Sequence, residues 1–325
     1  MSDVIQLDGV EKVFEVRRKN GRRLRRERKQ VRAVDGITFA VPRGEMVGYI
    51  GPNGAGKSTT IKMLTGILTP SGGRVRVAGL DPSRERTRLA RRIGVVFGQR
   101  TTLWWDLPLY DSYRLAHRMY RIPDDRFREN LDRCIELLDL GELLDVPVRQ
   151  LSLGQRMRGD IAAALLHDPE VLYLDEPTIG LDVVSKAKVR TFLRELNAEL
   201  GTTVLLTTHD LTDIEQLCKR VMVIDHGRLV YDGALAGLHE VGGSERTLVV
   251  DLERELAPID LADARMDARV VKVEGPRQWL AFPATASAAP LVAKIAERYP
   301  LVDLSVREPD IESVIARMYA DRGLH

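Results

Sequence analysis

The sequence predicts an α/β fold, in which the short buried strands of a parallel sheet alternate with helices. The first observation behind this prediction is a set of short apolar or β-branched runs separated by helical patterns, at residues 171–174, 203–207 and 221–224. Parallel strands that helices cover on both faces have this appearance. The second observation is a glycine-rich loop, residues 51–59, that directly follows the apolar run 46–50.

The glycine-rich loop joins this strand to a helix predicted over residues 60–68, which Pro70 stops. Its sequence fits the phosphate-binding pattern G-x-x-x-x-G-K-[ST]. Glycines let successive backbone amides converge on one centre, and the helix N-terminus adds positive potential. Lys57 supplies a mobile cation for the β- and γ-phosphates, and the Ser58 hydroxyl can bind Mg²⁺. The predicted nucleotide-binding residues of the loop are Gly51, Pro52, Asn53, Gly54, Ala55, Gly56, Lys57, Ser58 and Thr59.

The composition is that of an ordinary globular protein, with 44% hydrophobic and 30% charged residues in 325. This length predicts one large domain with a smaller one, or two domains. No apolar run reaches the ~18 residues that a membrane-spanning helix needs, and the N-terminus lacks a signal-peptide pattern. The two cysteines, Cys134 and Cys218, match no metal spacing and fit a reducing cytoplasm as packed small hydrophobes. We therefore expect a cytosolic chain unless a partner holds it at a membrane.

A basic insertion at residues 15–32 dominates the charge pattern. It carries ten Lys and Arg side chains against Glu15 and Glu27, a net charge of +8, so the rest of the chain sums to −6 in a total of +2. A solvated loop between two strands is one interpretation. Contact with anionic lipid headgroups is another, with each basic side chain near the surface contributing ~1 kcal/mol. Nucleic acid is a third, although no aromatic residues are interleaved for base stacking.

The N-terminal part predicts an antiparallel sheet beside the parallel one. Residues 4–10 alternate as a strand, and residues 33–41 follow the basic insertion as its partner strand. The strict alternation of residues 72–79 predicts a further antiparallel strand with one solvent-exposed face. A short polar helix at residues 84–92 and an apolar strand at 93–97 come next.

Between residues 100 and 150 the hydrophobic period becomes helical, which predicts a helical insertion in the α/β core. The predicted faces are Leu109, Tyr113, Ala116 and Tyr120 in one helix, and Phe127, Leu131, Ile135 and Leu138 in a second helix that ends at Gly141. The adjacent Trp104 and Trp105 stand at the start of this insertion. They either belong to its core or line a groove that receives a short helix of a membrane partner, because exposed aromatic residues favour interfaces.

Polar side chains follow the predicted strands at the edge of the sheet where open α/β sheets bind ligands. Asp175 can hold Mg²⁺ through a water, and Glu176 can polarise the attacking water. His209 can hydrogen-bond the γ-phosphate oxyanion or position Glu176. Gln99 also follows a strand and is a candidate contact for Mg²⁺ and water. The candidate metal ligands are therefore Ser58, Gln99 and Asp175, and the candidate catalytic residues are Glu176 and His209.

Residues 1–238 resemble the ATP-binding subunit of an ABC transporter, because the motifs of that family occur here in the same order. These motifs are Phe14 and residues 51–59, 99, 151–155, 171–177, 180–182 and 208–210. The resemblance implies a P-loop NTPase (RecA-like) core with an antiparallel β subdomain and a helical subdomain at about residues 100–150. It also implies that Phe14 stacks on adenine, that Gln99 links the metal site to the transmembrane partner, and that Asp182 lies in the loop that crosses a dimer interface.

The resemblance identifies Ser152, Gly154 and Gln155 as the signature motif, which completes the ATP site of the opposite subunit. The physics suits this role, because Ser152 and the Gly154 N–H at a helix N-terminus can face a γ-phosphate. An ordinary helix cap is the alternative interpretation. Leu153 departs from the family pattern, since the usual motif has its first glycine there.

The resemblance further implies that two ATP-binding subunits clamp two ATP molecules with Mg²⁺, head to tail. We expect a homodimer of two copies of this chain, and a pair of different chains is the alternative. Hydrolysis would remove the γ-phosphate contact and let the halves part. Integral membrane permease subunits would hold this pair at the cytoplasmic face of the cell membrane. In this family the coupling helix of the permease docks near Trp104 and Trp105.

Residues 239–325 predict a separate small α+β domain after a glycine linker at 242–244. Its predicted strands are 247–252, 269–273, 279–282 and 302–306, and its predicted helices are 289–298 and 311–319. Residues 306–312 resemble the accessory C-terminal domain of the ATP-binding subunits of ABC-2-type drug and polysaccharide exporters. Dimer support or regulation is the role we expect for it.

The leading hypothesis is an ATP-hydrolysing subunit that drives export through a separate permease. Residues 94–99, the double tryptophan and the C-terminal resemblance favour the ABC-2 exporter branch. The ATPase of an ABC importer is an alternative. A soluble ABC ATPase acting on the ribosome or nucleic acid is another, but such proteins usually carry two cassettes or a long coiled-coil insertion. The permease chooses the transported molecule, so this sequence does not name it.

Overall fold

A computed structural model describes residues 3–19, 26–98, 100–241, 245–261, 267–283 and 286–307. The chain forms two compact units, residues 1–233 and 234–325. Within the described ranges, no helix combines the length and the apolar character needed to span a membrane.

The first unit mixes strands and helices throughout its length. Its strands are β1 (Asp3–Lys19), β2 (Arg26–Pro42), β3 (Met46–Ile50), β4 (Gly72–Val77), β5 (Ile93–Phe97), β6 (Val171–Asp175), β7 (Thr203–Thr207), β8 (Arg220–Asp225) and β9 (Arg228–Ala234). Its helices are α1 (Lys57–Leu64), α2 (Arg86–Ala90), α3 (Leu109–Tyr120), α4 (Asp124–Leu138), α5 (Leu153–Leu165), α6 (Val183–Leu200) and α7 (Leu211–Leu217).

A six-stranded sheet of order β5-β6-β7-β3-β8-β9 forms the centre of this unit, and β5, β6, β7, β3 and β8 pair in parallel. Every residue of β3 and β7 is buried, which is why these strands read as continuous apolar or β-branched runs. The register pairs Phe97 with Asp175 and Asp175 with Thr207. The loops after β5, β6 and β7 therefore leave the sheet side by side, and the predicted α/β class with its phosphate-loop core is confirmed.

A three-stranded antiparallel sheet of order β2-β1-β4 accompanies the parallel one, as predicted. The solvated-loop interpretation of the basic insertion is wrong for residues 15–19 and 26–32. These residues continue β1 and β2 as paired strands, with Arg17 opposite Arg28 and Lys19 opposite Arg26. The residue pattern of each segment alone does not predict a strand, because the strand depends on backbone hydrogen bonds to the other segment. Residues 20–25 lie outside the described part.

Several element boundaries differ from the sequence-based ones for local reasons. The helix expected at residues 60–68 is α1, which starts directly after Gly56 in a left-handed conformation, at φ +110°. It ends before Gly66, whose φ of +74° turns the chain away and whose Cβ, if present, would collide with the carbonyl oxygen of Pro82. The polar helix expected at residues 84–92 is the shorter α2.

The helical insertion is present as α3 and α4, and both predicted faces supply buried residues. Asp139, in a left-handed conformation at φ +52°, terminates α4 before Gly141 is reached. Two short 3₁₀ turns, Gly141–Leu143 and Val148–Gln150, lead from this insertion to α5.

The second unit contains a four-stranded antiparallel sheet of order β11-β12-β10-β13. Its elements are α8 (Leu235–Val241), β10 (Glu245–Leu252), β11 (Arg269–Glu274), β12 (Arg277–Pro283), α9 (Ala289–Arg298) and β13 (Leu301–Arg307). Leu291 and Ile295 of α9 are buried in one cluster with Leu280 and Phe282 of β12. The predicted linker at 242–244 and the predicted helix at 311–319 lie outside the described residues.

Candidate nucleotide-binding and catalytic site

The glycine-rich loop is packed closely against neighbouring backbone. A Cβ on Gly51 would collide with the carbonyl oxygen of Ile224, and one on Gly56 would lie 2.5 Å from the carbonyl oxygen of Ala33. Gly54 and Gly56 adopt left-handed conformations at φ +83° and +110°. Only glycine fits these positions, so the loop curls directly into α1 without a side-chain cap. The first amides of this helix are therefore available to an anion.

Lys57 lies inside this loop. Its ammonium group donates hydrogen bonds to the carbonyl oxygens of Gly51 at 2.6 Å and Pro52 at 3.1 Å. Burial lowers the pKa of Lys57, while the charges of Glu176 and Asp175 act in the opposite direction. The group is thus held where phosphate oxygens can replace the two carbonyl acceptors.

The Mg²⁺ ligands predicted from the loop and from β6 lie together. The Ser58 hydroxyl is 3.3 Å from Oδ2 of Asp175, and Oδ1 of Asp175 accepts a hydrogen bond from the Thr207 hydroxyl at 2.5 Å. Oxygen donors are the ligands that Mg²⁺ prefers, and it is usually bound by one or two protein groups together with substrate phosphates. This pair of oxygens therefore fits a nucleotide-bound Mg²⁺.

The two candidate catalytic side chains are in direct contact, with Nε2 of His209 2.6 Å from Oε1 of Glu176. Glu176 has a left-handed backbone at φ +58°, and its N–H donates to the carbonyl oxygen of Thr207. The chain therefore turns sharply as it leaves β6. This turn places the Glu176 carboxylate beside the end of β7, where His209 can hold it.

The remaining predicted nucleotide contacts are Gln99 and Phe14. Gln99 lies outside the described residues. The preceding Gly98 donates its N–H to the carbonyl oxygen of Asp175 at 2.7 Å, and a Cβ there would collide with the Glu176 carbonyl oxygen. Phe14 lies on β1 of the antiparallel sheet, opposite Val31, with the Lys12 ammonium 5.2 Å from its ring centroid.

Ser152 caps α5 in a capping box. Its hydroxyl accepts the Gln155 N–H at 3.2 Å, and the Gln155 side-chain oxygen accepts the Ser152 N–H at 2.8 Å. Leu153, the departure from the family pattern, lies against Gly180, where a Cβ would come within 2.8 Å of its side chain. The first glycine of the usual motif is thus replaced by an apolar contact to the loop before α6.

Asp182 caps α6 and lies close to this signature segment. Its carboxylate accepts hydrogen bonds from the Ser185 N–H at 2.9 Å and the Ser185 hydroxyl at 2.7 Å, which lower its pKa. A Cβ on Gly154 would lie 2.7 Å from the same hydroxyl oxygen. Ser185 therefore brings the predicted signature and dimer-loop residues together within one chain.

The double tryptophan is not part of the helical core. Trp104 and Trp105 are 55% and 50% exposed, so the core interpretation is wrong. The Arg156 guanidinium lies 5.4 Å from the Trp105 ring centroid. Trp104 borders a groove of about 270 Å³ between β5 and the helical insertion, and other lining residues include Ile67, Val95, Met119, Tyr120 and His167.

Sequence reasoning missed several residues that organise this site. Thr207 was recognised only as the end of a strand, yet it binds the carboxylate of Asp175. Asp213 and Arg190 were not singled out, although they form a buried ion pair behind the two catalytic loops. The available signal for Thr207 was its position at the strand end beside Asp175.

A curled glycine loop opening a helix, with an acidic pair and a histidine at the same edge of a parallel sheet, defines a P-loop nucleotide-binding protein. A family model described as ABC transporter matches residues 34–179. The daunorubicin resistance ATP-binding protein DrrA3 of Streptomyces coeruleorubidus is 36% identical over 294 residues, which cover 89% of this chain and 92% of that protein. The chain therefore belongs to the ATP-hydrolysing, ATP-binding proteins of the ABC transporter family, as the sequence motifs predicted.

Two further similarities bear on direction of transport and on assembly. The methionine import ATP-binding protein MetN of Geobacillus kaustophilus is 30% identical, over 99% of this chain and 92% of its own length. The dimeric post-hydrolysis state of the ATP-binding cassette MJ0796, bound to ADP and Pi, has a TM-score of 0.61 and 27% identity. The match covers 71% of this chain and 98% of that one.

Replacing Lys57 by alanine should weaken nucleotide binding. A charge-assisted hydrogen bond contributes about 1.5–3 kcal/mol, so we expect the Kd for ATP to rise about tenfold to a hundredfold, with a parallel loss of turnover. Titration with a fluorescent ATP analogue measures the change. Lys62→Ala, an exposed lysine on the same helix, is the control and should bind as the parent does. Parent-like affinity in Lys57→Ala would contradict the role given to this ammonium group.

Proposed function

We propose that this chain is the ATP-hydrolysing subunit of an ABC-2-type exporter and powers export through separate transmembrane permease subunits. The observation that most directly supports ATP hydrolysis is the 2.6 Å contact between Glu176 and His209 beside the phosphate loop. The similarity to a drug-resistance protein along most of both chains supports export. The ATPase of an importer is the second candidate, favoured by the full-length but less identical match to a methionine import protein.

In the proposed reaction, each residue of the strand edge has a separate task. The loop amides and Lys57 bind the β- and γ-phosphates. Ser58 and Asp175, with Gln99, would hold Mg²⁺, which would neutralise phosphate charge. Glu176 orients the attacking water and accepts its proton, and His209 fixes the Glu176 carboxylate. Preorganised donors at this edge stabilise the charge that develops on the γ-phosphate.

We propose that a second copy of the chain completes each ATP site through its Ser152 and Gly154. Val183 and Val184, directly after Asp182, are 84% and 66% exposed, and exposed apolar residues beside the dimer loop support an interface there. The dimeric cassette MJ0796 offers a structural precedent.

The second unit has no cluster of three or more potential metal-ligating side chains within the residues described for it. We propose that this unit supports the dimer or regulates it.

Glu176→Gln tests the chemical proposal directly. The amide keeps the shape of the side chain but cannot accept the proton, so turnover should fall about 10²–10⁴-fold while ATP binding is retained. The variant should also accumulate as a dimer with ATP, because the γ-phosphate is not removed. ATPase assays and size-exclusion chromatography with ATP measure both effects. Glu199→Gln, an exposed position on α6, is the control, and parent-like turnover in Glu176→Gln would overturn the assignment.

We further propose that the groove beside Trp104 receives a short helix of the permease. Exposed aromatic residues next to a preformed apolar groove are the arrangement in which helices dock on proteins. Arg156, stacked over Trp105, supplies a polar boundary to this surface.

Trp105→Ala should separate ATP hydrolysis from transport. We expect the ATPase rate of the isolated subunit to stay within about twofold, because Trp105 is not among the residues proposed to bind phosphate, Mg²⁺ or the attacking water. Hydrolysis stimulated by permease-containing membranes should fall at least about tenfold, as expected for the loss of a buried aromatic contact. Tyr110→Ala, at a 39% exposed tyrosine on α3, is the control. Undiminished stimulation in Trp105→Ala would count against docking at this place.

The paired basic strands are proposed to contact anionic lipid headgroups at the cytoplasmic face of the membrane. Arg17 opposes Arg28, and Lys19 opposes Arg26. Residues 15–32 carry a net charge of +8, and each basic residue close to an anionic membrane surface contributes about 1 kcal/mol of attraction.

Arg17→Gln combined with Arg28→Gln should weaken vesicle binding. At ~1 kcal/mol for each basic residue, affinity for phosphatidylglycerol-containing vesicles should fall about thirtyfold in a co-sedimentation assay with the full chain. Arg84→Gln with Arg88→Gln removes the same charge from two exposed side chains elsewhere in the chain and serves as the control. Equal loss in both double variants, or binding unaffected by either, would refute a specific lipid contact.

A further inference from the structure

Asp213, in the first turn of α7, is a fully buried carboxylate whose two oxygens are both bound. Oδ2 accepts hydrogen bonds from the hydroxyl groups of Thr178 and, at 3.2 Å, Thr208. Oδ1 accepts from the Arg190 guanidinium at 2.5 Å. The side chain of Asp213 has no exposed area, and that of Arg190 is only 12% exposed.

The two threonines belong to the loops that carry the candidate catalytic groups. Thr178 stands two residues after Glu176, and Thr208 directly precedes His209. Both hydroxyl groups converge on the same oxygen of Asp213. The Asp213 carboxylate therefore joins the two loops, in addition to the hydrogen bond from the Glu176 N–H to the Thr207 carbonyl oxygen.

Arg190 brings a third segment to this carboxylate. It lies on α6, the helix that Asp182 caps, and its guanidinium is also 3.6 Å from Asp210. Asp210 in turn accepts a hydrogen bond from Lys186 at 2.5 Å. Burial opposes ionisation of Asp210, but Lys186 and the other donors outweigh it, so its pKa is lowered. The helix after the dimer loop is thus joined to the His209 loop by two ion pairs.

A buried ion pair of this kind is expensive to desolvate and is a weak argument for stability. Fully satisfied buried polar networks instead fix one arrangement of the segments that they join, because any displacement leaves a charge unpaired in a low-dielectric interior. Here the joined segments are those that hold Glu176, His209 and Asp182.

We infer that Asp213 and Arg190 are positioning residues for ATP hydrolysis. They hold the loops of Glu176 and His209 at the separation that lets the two side chains meet, and they tie both loops to α6. Neither residue belongs to the phosphate loop, so nucleotide binding does not depend on them. This inference rests on the proposed catalytic roles of Glu176 and His209.

Asp213→Asn is the primary test, because it retains the shape of the side chain and removes the carboxylate charge that Arg190 binds at 2.5 Å, leaving only Asp210 at 3.6 Å. A displacement of about 1 Å at a reacting group lowers turnover about a hundredfold. We expect kcat to fall about tenfold to a hundredfold, while KM and the Kd for a fluorescent ATP analogue stay within about threefold. Thr178→Val removes a single hydroxyl and should give a smaller loss with the same split between kcat and KM.

Arg220→Gln is the matched control. Arg220 forms ion pairs with Asp232 and Glu45 at the other end of the strands and is 21% exposed. The Arg220→Gln variant should have a lower midpoint of thermal unfolding than the parent but the same kcat per folded molecule. If kcat falls equally in the control at an equal loss of thermal stability, the network acts on stability alone and the inference fails.

Thr178→Val decides the question if Asp213→Asn does not fold. A kcat within twofold of the parent in the variants that fold would overturn the inference, as would a rise in Kd that matches the fall in kcat. Glu176→Gln, assayed in parallel, separates this inference from the proposed function. If Glu176→Gln retains turnover, the proposed role of Glu176 is refuted. If Glu176→Gln is inactive and Asp213→Asn turns over ATP as the parent does, only the positioning role of Asp213 is refuted.

Discussion

The site depends on one constraint of the parallel sheet, namely that neighbouring strands end in register at the same edge. Phe97, Asp175 and Thr207 are paired across β5, β6 and β7, so the segments that follow them emerge side by side. Because β3 is parallel to β7, the phosphate loop also leaves the sheet at this edge. Ser58 and Asp175, 117 positions apart, are thereby brought within 3.3 Å.

The turn after β6 brings the two proposed catalytic side chains together at this common edge. Glu176 adopts a left-handed backbone that costs a non-glycine residue about 1–2 kcal/mol. Such a conformation persists only where its surroundings over-determine it. Here the Glu176 N–H is bound by Thr207 and its carbonyl oxygen accepts from Ile179, while Gly98 packs against that carbonyl group. The position of the Glu176 carboxylate is therefore a property of the assembled edge, and not of the segment that contains it.

The sequence was sufficient to predict those features of the site that depend on adjacent residues. The loop at 51–59 and the strand ending at Asp175 follow from local spacing, because glycine positions and apolar runs act over a few residues. The extension of β1 to Lys19 was missed, since charged residues have low strand propensity and only pairing with β2 makes them a strand. Asp213 was missed because its partner Thr178 is 35 positions away, and no local pattern marks a buried carboxylate.

Helix α6 gives the proposed dimer loop and the proposed catalytic loops a common rigid support. Asp182 caps its first turn, and Arg190, eight residues later, binds the carboxylate behind Glu176 and His209. At 1.5 Å per residue these two positions are about 12 Å apart along the axis, and the hydrogen-bonded backbone between them does not compress. If a second copy of the chain displaces the proposed dimer loop, it must therefore either move Arg190 as part of a rigid body or break the cap of α6. The buried ion pair favours movement as a rigid body, because separating Arg190 from Asp213 would leave the fully buried Asp213 carboxylate without its counter-charge.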